Sequence, residues 1–185
     1  MATFQVRAIT PADRPWVRQV LIERSHATRI VSRGRVHQAD ELPGFVAEGT
    51  GNAPDGADST HDLQARCLSP FSPAESARRI GLVIYRIEAG ACEVVSLDSL
   101  VERCGVGTAL LAAVRDTARA AGCRRLWLIT TNDNLHALRF YQKRGWVLVA
   151  VHANALEESR RLKPEIPLVG IDGIPLRDEI ELEWR

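Results

Sequence analysis

Two glycines at a strand-to-helix junction carry the first chemical signal. In the stretch Leu97-Asp98-Ser99-Leu100-Val101-Glu102-Arg103-Cys104-Gly105-Val106-Gly107-Thr108-Ala109-Leu110-Leu111, a strand-like run (Cys92 to Leu97) leads into a helical pattern that continues to about Ala121. A helix start presents unpaired backbone N–H groups and the positive end of aligned peptide dipoles. At Gly105 and Gly107 no Cβ stands between that backbone and an approaching anion. The turn can therefore cradle a pyrophosphate with main chain alone. A tight turn that merely requires glycine fits the pattern equally well, and the spacing leaves both readings open.

A second stretch follows: Asn134-Leu135-His136-Ala137-Leu138-Arg139-Phe140-Tyr141-Gln142-Lys143-Arg144-Gly145-Trp146. Together, in this order and spacing and with a strand between them, the two resemble the GCN5-related N-acetyltransferase (GNAT) family. The first is similar to that family's acyl-CoA pyrophosphate loop, the second to its Asn, Ala, Phe-Tyr, Gly-aromatic signature. The resemblance is strongest from Gly90 to Val151. Glu102 stands where the family usually has Gln or Arg, and Cys104 where it often has Lys or Arg, so Arg103 is the one base left in the loop.

The resemblance implies an N-acetyltransferase that passes an acetyl group from acetyl-CoA to a primary amine by direct attack in a ternary complex. The acceptor is expected to be a small molecule. A non-catalytic acyl-CoA binding or sensing module, or a protein N-terminal or lysine acetyltransferase, is the alternative. The donor would lie along Val95, Ser96 and Leu97 as a pseudo-strand, with its pyrophosphate on Arg103, Cys104, Gly105, Val106, Gly107 and Thr108, and with Asn134, Ala137 and Tyr141 near the pantetheine arm. A main-chain N–H near Leu97 would hold the oxygen of the tetrahedral intermediate. Tyr141 is the expected general acid, since a phenol of ordinary pKa ~10 is protonated at neutral pH. Where some relatives carry a glutamate at the end of the fifth strand, this chain has Ile129-Thr130. Glu93 is the remaining candidate general base. Strand alternation puts it on the face of Val95 and Leu97, with Asp98 pointing the other way unless a bulge intervenes. Arg33, Arg35 and His37 are candidates for binding an acidic group of the acceptor; a solvated loop is the other reading of the same residues. Homodimers are common among relatives.

The rest of the chain must position these groups. It has 185 residues and a net charge of +1, which suits one domain and argues against nucleic-acid and membrane-surface partners. The N-terminus lacks a secretory pattern. Cys67, Cys92, Cys104 and Cys123 show no metal-ligand spacing, so free thiols in a reducing cytoplasm, and no metal, are expected. Periodicity predicts strands near Phe4–Ile9, Gly44–Glu48, Ile80–Ile87, Cys92–Leu97, Arg124–Thr130, Trp146–Val151 and Glu179–Trp184. Helices are predicted over about Pro11–Arg24, the run after Gly105, Leu135–Arg144 and Ala155–Leu162. Residues 49–77, rich in Gly, Asp, Ser, Pro and Ala, read as a flexible insertion. The fourth strand, its following helix and the fifth strand form a βαβ crossover, making those strands parallel. The fold class is thus α/β (α+β), a mixed sheet of about seven strands with helices on both faces and a parallel central pair; the resemblance implies its GNAT-like form, mostly antiparallel with that central pair splayed. The last strand should have one wet face, and Leu162 to Asp178 should form an ordered lid at the acceptor end.

Overall fold

The computed structural model describes residues 4–49 and 78–185. In chain order its elements are β1 (Phe4–Ala8), a 3-10 turn (Pro11–Asp13), α1 (Arg14–Ser25), β2 (Arg29–Ser32), β3 (Arg35–Gln38) and β4 (Gly44–Gly49). There follow β5 (Arg78–Glu88), β6 (Ala91–Ser99), α2 (Val106–Ala120), β7 (Arg125–Thr131), α3 (Leu135–Gln142), β8 (Trp146–His152), α4 (Ala155–Leu162) and β9 (Glu179–Trp184). The expected insertion falls, from residue 50 on, outside the described residues.

One sheet of seven strands runs in the order β1-β4-β5-β6-β7-β9-β8. Every neighbouring pair is antiparallel except β6 and β7, which the α2 crossover makes parallel. Strand periods of two divide the apolar residues between two cores. On one face Val83, Tyr85, Val94 and Leu128 pack with Val106, Leu110, Leu111 and Val114 of α2 and with Tyr141 of α3. On the other, Leu82, Ile84 and Val46 pack with Val17, Val20 and Leu21 of α1. Complete burial of one such leucine or valine stabilises by about 1.5–3 kcal/mol, so α1 and α2 are held mainly by these stripes.

The chain enters α1 through a charged anchor. Thr10 and Asp13 form a capping box. The fully buried Asp13 also accepts from Arg7 at 2.7 and 2.9 Å and from Arg79 at 2.9 Å. These donors, Arg7 first, hold its carboxyl far below the usual range.

Three features differ from the sequence reading. The polar run after α1 is a β2–β3 hairpin, forming a separate two-stranded sheet turned at Arg33 and Gly34, both at positive φ. Its alternation is short, and the Arg-Gly turn is what defines it. β9 is interior, between β7 and β8, so its glutamates are not wet: Glu179 is 1% exposed and the Glu181 and Glu183 carboxylates pair with Arg125. Finally, Cys104 is disulfide-bonded, against the expectation of a free thiol there, while Cys92 and Cys123 are free as expected and Cys67 lies outside the described residues. No helix among the described residues is long and apolar enough to cross a membrane.

Candidate active site

The site begins where a ladder stops. β6 and β7 pair only over Ala91–Val94 and Arg125–Leu128, although the strands continue to Ser99 and Thr131. Beyond Val94 the β7-facing edge of β6 has no ladder partner, and buried backbone polar groups demand one. β6 also carries a bulge: Val94 faces Tyr85 and Ser96 faces Ile84, leaving Val95 as the extra residue. The bulge changes which side chains share a face. Val94 and Leu97 join the α2 core, whereas Val95 joins the α1 core. Asp98, opposite Leu82 of the α1 core, therefore returns to the face of Glu93, and Leu97 leaves it. Simple alternation gave the reverse for both. Ser96 donates to Asp98 at 2.6 Å, and burial raises the Asp98 carboxyl above its usual range.

On the α2 face, the helix opens at Gly105 with φ +79°, a left-handed conformation that glycine adopts without strain. Among the described residues, the first α2 N–H with a backbone partner is that of Ala109, on the carbonyl of Gly105. The N–H groups of Val106, Gly107 and Thr108 are thus left at an open helix start, a geometry that suits an anion. Gly107 serves a different need from Gly105. A Cβ there would lie 3.0 Å from Cζ of Phe140, so its small size lets α3 close on the start of α2. Arg144, just past α3, donates to Thr108 Oγ1 at 2.7 Å and stacks 3.7 Å over the Phe140 ring. It brings a guanidinium to the helix mouth where Glu102 and Cys104 supply none. Sequence reasoning passed over it, although it lies inside the Phe-Tyr stretch. Arg103 occupies the loop at φ +59°.

Asn134 caps α3 by accepting from the Ala137 N–H at 3.0 Å. The cap fixes the first turn and so the register of Tyr141, two turns on. Tyr141 lies in the α2 core with its ring against Phe140 and Trp146, 8% exposed, and its hydroxyl makes no hydrogen bond among the described residues. Burial, then the charge of Asp98, raises its pKa, so the phenol stays protonated at neutral pH.

The opposite face holds two adjoining cavities. The first, about 200 Å³, opens at the splay between Val94, Val95, Ile129, Thr130 and Thr131 and is roofed by Ile30, Val31 and Ser32 of β2 and Leu156 of α4. Its charged walls are Glu93 and Glu179. Glu93 accepts from Ser32 Oγ at 2.6 Å; Glu179 accepts from Ser159 Oγ at 3.2 Å and from the Arg33 N–H at 3.1 Å. Burial raises the Glu93 pKa, and the charge of Glu179 adds to it. The second cavity, about 320 Å³, shares Ser32 and Glu93 with the first and continues over Arg33, Arg35, Arg86, Arg125 and Trp127.

Arg33 and Arg35 therefore line a cavity, but His37 lines neither. It is 2% exposed beneath Glu93, with Nε2 3.6 Å from the Glu93 carboxylate and, among the described residues, no hydrogen-bond partner for either ring nitrogen. Burial, then Arg86 and Arg35, lowers its pKa to about 4. The Leu162–Asp178 segment is tied down by Asn132 and Asp133, whose side chains bond Pro175, Arg177, Asp178 and Ile171. It lines neither cavity; the β2–β3 hairpin and α4 take that place.

Residues 54–146 match the model of the acetyltransferase (GNAT) family. The chain belongs to that family. The chain is 55% identical over 106 residues to the uncharacterized protein YdhI of Bacillus subtilis (strain 168), a match covering 57% of this chain and 66% of that relative, just under two thirds of its length. Among solved structures, Arabidopsis thaliana NAA60 in complex with a bisubstrate analogue superposes with a TM-score of 0.61 at 16% identity, covering 98% of this chain and 97% of that one. A GNAT family acetyltransferase from Elizabethkingia anophelis with acetyl-CoA bound gives 0.59 at 16% identity, with coverage of 98% and 97%. At these identities the likeness establishes the GNAT fold: the mixed sheet with its parallel β6–β7 pair.

Proposed function

We propose that this GNAT protein is an N-acetyltransferase that moves an acetyl group from acetyl-CoA to the amine of a small molecule in a ternary complex. The observation that carries the reading is the splay beyond Val94 and Leu128, with a buried protonated phenol in the core on one face and a buried carboxylate cavity on the other. Support for the donor comes from the open start of α2 and from the neighbour with acetyl-CoA bound.

In this scheme the pyrophosphate rests on the N–H groups of Val106 to Thr108, with Arg103 and Arg144 beside it. The pantetheine pairs with Val95 to Leu97 near Asn134 and Ala137. The amine enters through the cavity of Glu93, which takes its proton as the nitrogen attacks the thioester carbon. A main-chain N–H near Leu97 holds the oxyanion. The tetrahedral intermediate then collapses, the C–S bond breaks, and Tyr141 gives its proton to the departing CoA thiolate. A roofed cavity of about 200 Å³ suits a small amine better than a protein tail. Thiol release from acetyl-CoA across a panel of small primary amines tests the proposal. Turnover with at least one amine is expected; CoA binding by calorimetry with no turnover on any amine or peptide would make the protein a non-catalytic acyl-CoA module.

A further inference from the structure

Charge changes sign along the trough formed by the two cavities. The end at the splay has Glu93 and Glu179 as its charged walls and no cation among its lining residues, with Arg33 reaching Glu179 from the far end at 3.8 Å. The far end is lined by four guanidiniums, Arg33, Arg35, Arg86 and Arg125, against Glu88 and the shared Glu93. Arg35 and Arg86 both pair with the single carboxylate of Glu88, so that pairing leaves one positive charge uncompensated. Arg33 approaches its nearest carboxylates, Glu179 and Glu181, only at 3.8 and 3.9 Å. Trp127 adds an aromatic wall beside Arg125, whose guanidinium lies 4.7 Å from the ring centroid. A guanidinium is a fork of donors matched to a carboxylate or phosphate. Two buried carboxylates that share one distant guanidinium are matched to an ammonium.

We propose that the acceptor is a zwitterion. Its amine sits between Glu93 and Glu179 at the splay, and its oxyanion sits among Arg35, Arg86 and Arg33 at the other end of the trough. This rests on the acetyltransferase reading for the word acceptor, but the binding geometry does not need turnover. The same charge pattern opposes polyamines and cationic antibiotics, whose second positive charge would face the arginines without a partner.

The test is calorimetry on the CoA-loaded protein, where no acetyl group is available and binding is read apart from catalysis. The probes are α-, β- and γ-amino acids, each paired with its carboxamide, together with O-phosphoethanolamine paired with ethanolamine. At least one oxyanion-bearing probe is expected to bind ten-fold or more tightly than its neutral-tailed counterpart. The two sets separate a carboxylate from a phosphate, and the series sets the spacing from the amine. Arg86→Gln, and separately Arg35→Gln, should weaken the acid at least five-fold more than the amide, while CoA affinity reports that the variants are folded. Equal affinity for acids and amides throughout, or equal losses for both in the variants, overturns the proposal. If an acid binds as expected but no thiol is released from acetyl-CoA, the trough stands and the transferase reading fails. If amides and diamines are acetylated as well as acids, the transferase reading stands and the zwitterion is wrong.

Discussion

Tyr141 and Glu93 are buried titratable groups whose pKa values both move upward, and the upward shift has opposite meaning for each. For a phenol that must give a proton, it keeps the proton in place but makes the group a weaker acid, so the transfer requires direct contact with the departing sulfur as charge develops on it. Tyr141→Phe should therefore lower kcat by about 10²-fold while calorimetric CoA affinity stays within two-fold; an unchanged kcat would take Tyr141 out of the chemistry. For a carboxyl that must accept a proton, the shift makes a better base with a narrower working range. The rate should rise with pH through a Glu93 pKa above the usual ~4.3. Glu93→Gln should remove that acid limb from the kcat/KM profile along with about 10²-fold of rate. A limb that persists in the variant would assign it to another group. Glu93 was legible as a candidate because its residue type and strand were. Ser32 and Glu179, which share its cavity, were not: one lies in a run too polar to read as a strand, and the other on an alternating strand whose charged face looked solvated.

At the level of elements, the junction of α2 and α3 is a three-part fit: Gly107 under Phe140, Phe140 under Arg144, and Arg144 on Thr108. Gly107→Val would put a branched side chain where one added carbon already meets the ring at 3.0 Å. The ring must move, and Arg144 with it. CoA affinity is expected to fall about ten-fold, equivalent to ~1.4 kcal/mol, with the fold retained by circular dichroism. Unchanged affinity would separate this packing from the donor site. The glycines were visible in the sequence as a turn that could admit an anion, but their division of labour was not. Positive φ at Gly105 is a backbone requirement, whereas the requirement at Gly107 comes from a ring 33 positions away, and spacing alone cannot distinguish the two. The hairpin of β2 and β3 shows the opposite limit: four-residue strands give too few alternations to read, even with the Arg33-Gly34 turn between them.

For the whole molecule, the unpartnered imidazole of His37 makes folding pH-dependent. Its pKa falls from the ordinary ~6.5 to about 4 in the folded chain, so the unfolded chain binds the proton more readily. The neutral ring's stabilising contribution is complete above pH ~6.5 and is lost as pH falls through about 4, amounting to ~3 kcal/mol across that window. Glu93, with its pKa raised, acts in the reverse sense: its contribution is present at low pH and lost as pH rises through its folded value. Urea unfolding of the wild-type chain and of His37→Leu at pH 7 and pH 4.5 should show a smaller acid loss in the variant. Equal losses would place the acid sensitivity elsewhere. The parallel pair and the apolar stripes of α1 and α2 followed from periodicity and the crossover rule because they depend on many residues each. Two details escaped: the interior position of β9, which a local pattern cannot specify, and the bulge in β6, which rests on one residue.

That one residue has an outsized consequence. Because Val95 is supernumerary between β5 and β6, excising it would let the strand run straight while Val94 stays opposite Tyr85 and Ser96 opposite Ile84, so every later side chain keeps its face. Ironing the bulge flat with Val95 kept is the change that rolls the strand: Ser96 and Asp98 would swing toward Tyr141 and the helix, while Leu97 would land in the carboxylate trough. A one-place slip of the later strand would thus keep the sheet and lose both halves of its chemistry together, whereas a chain one residue shorter here would not.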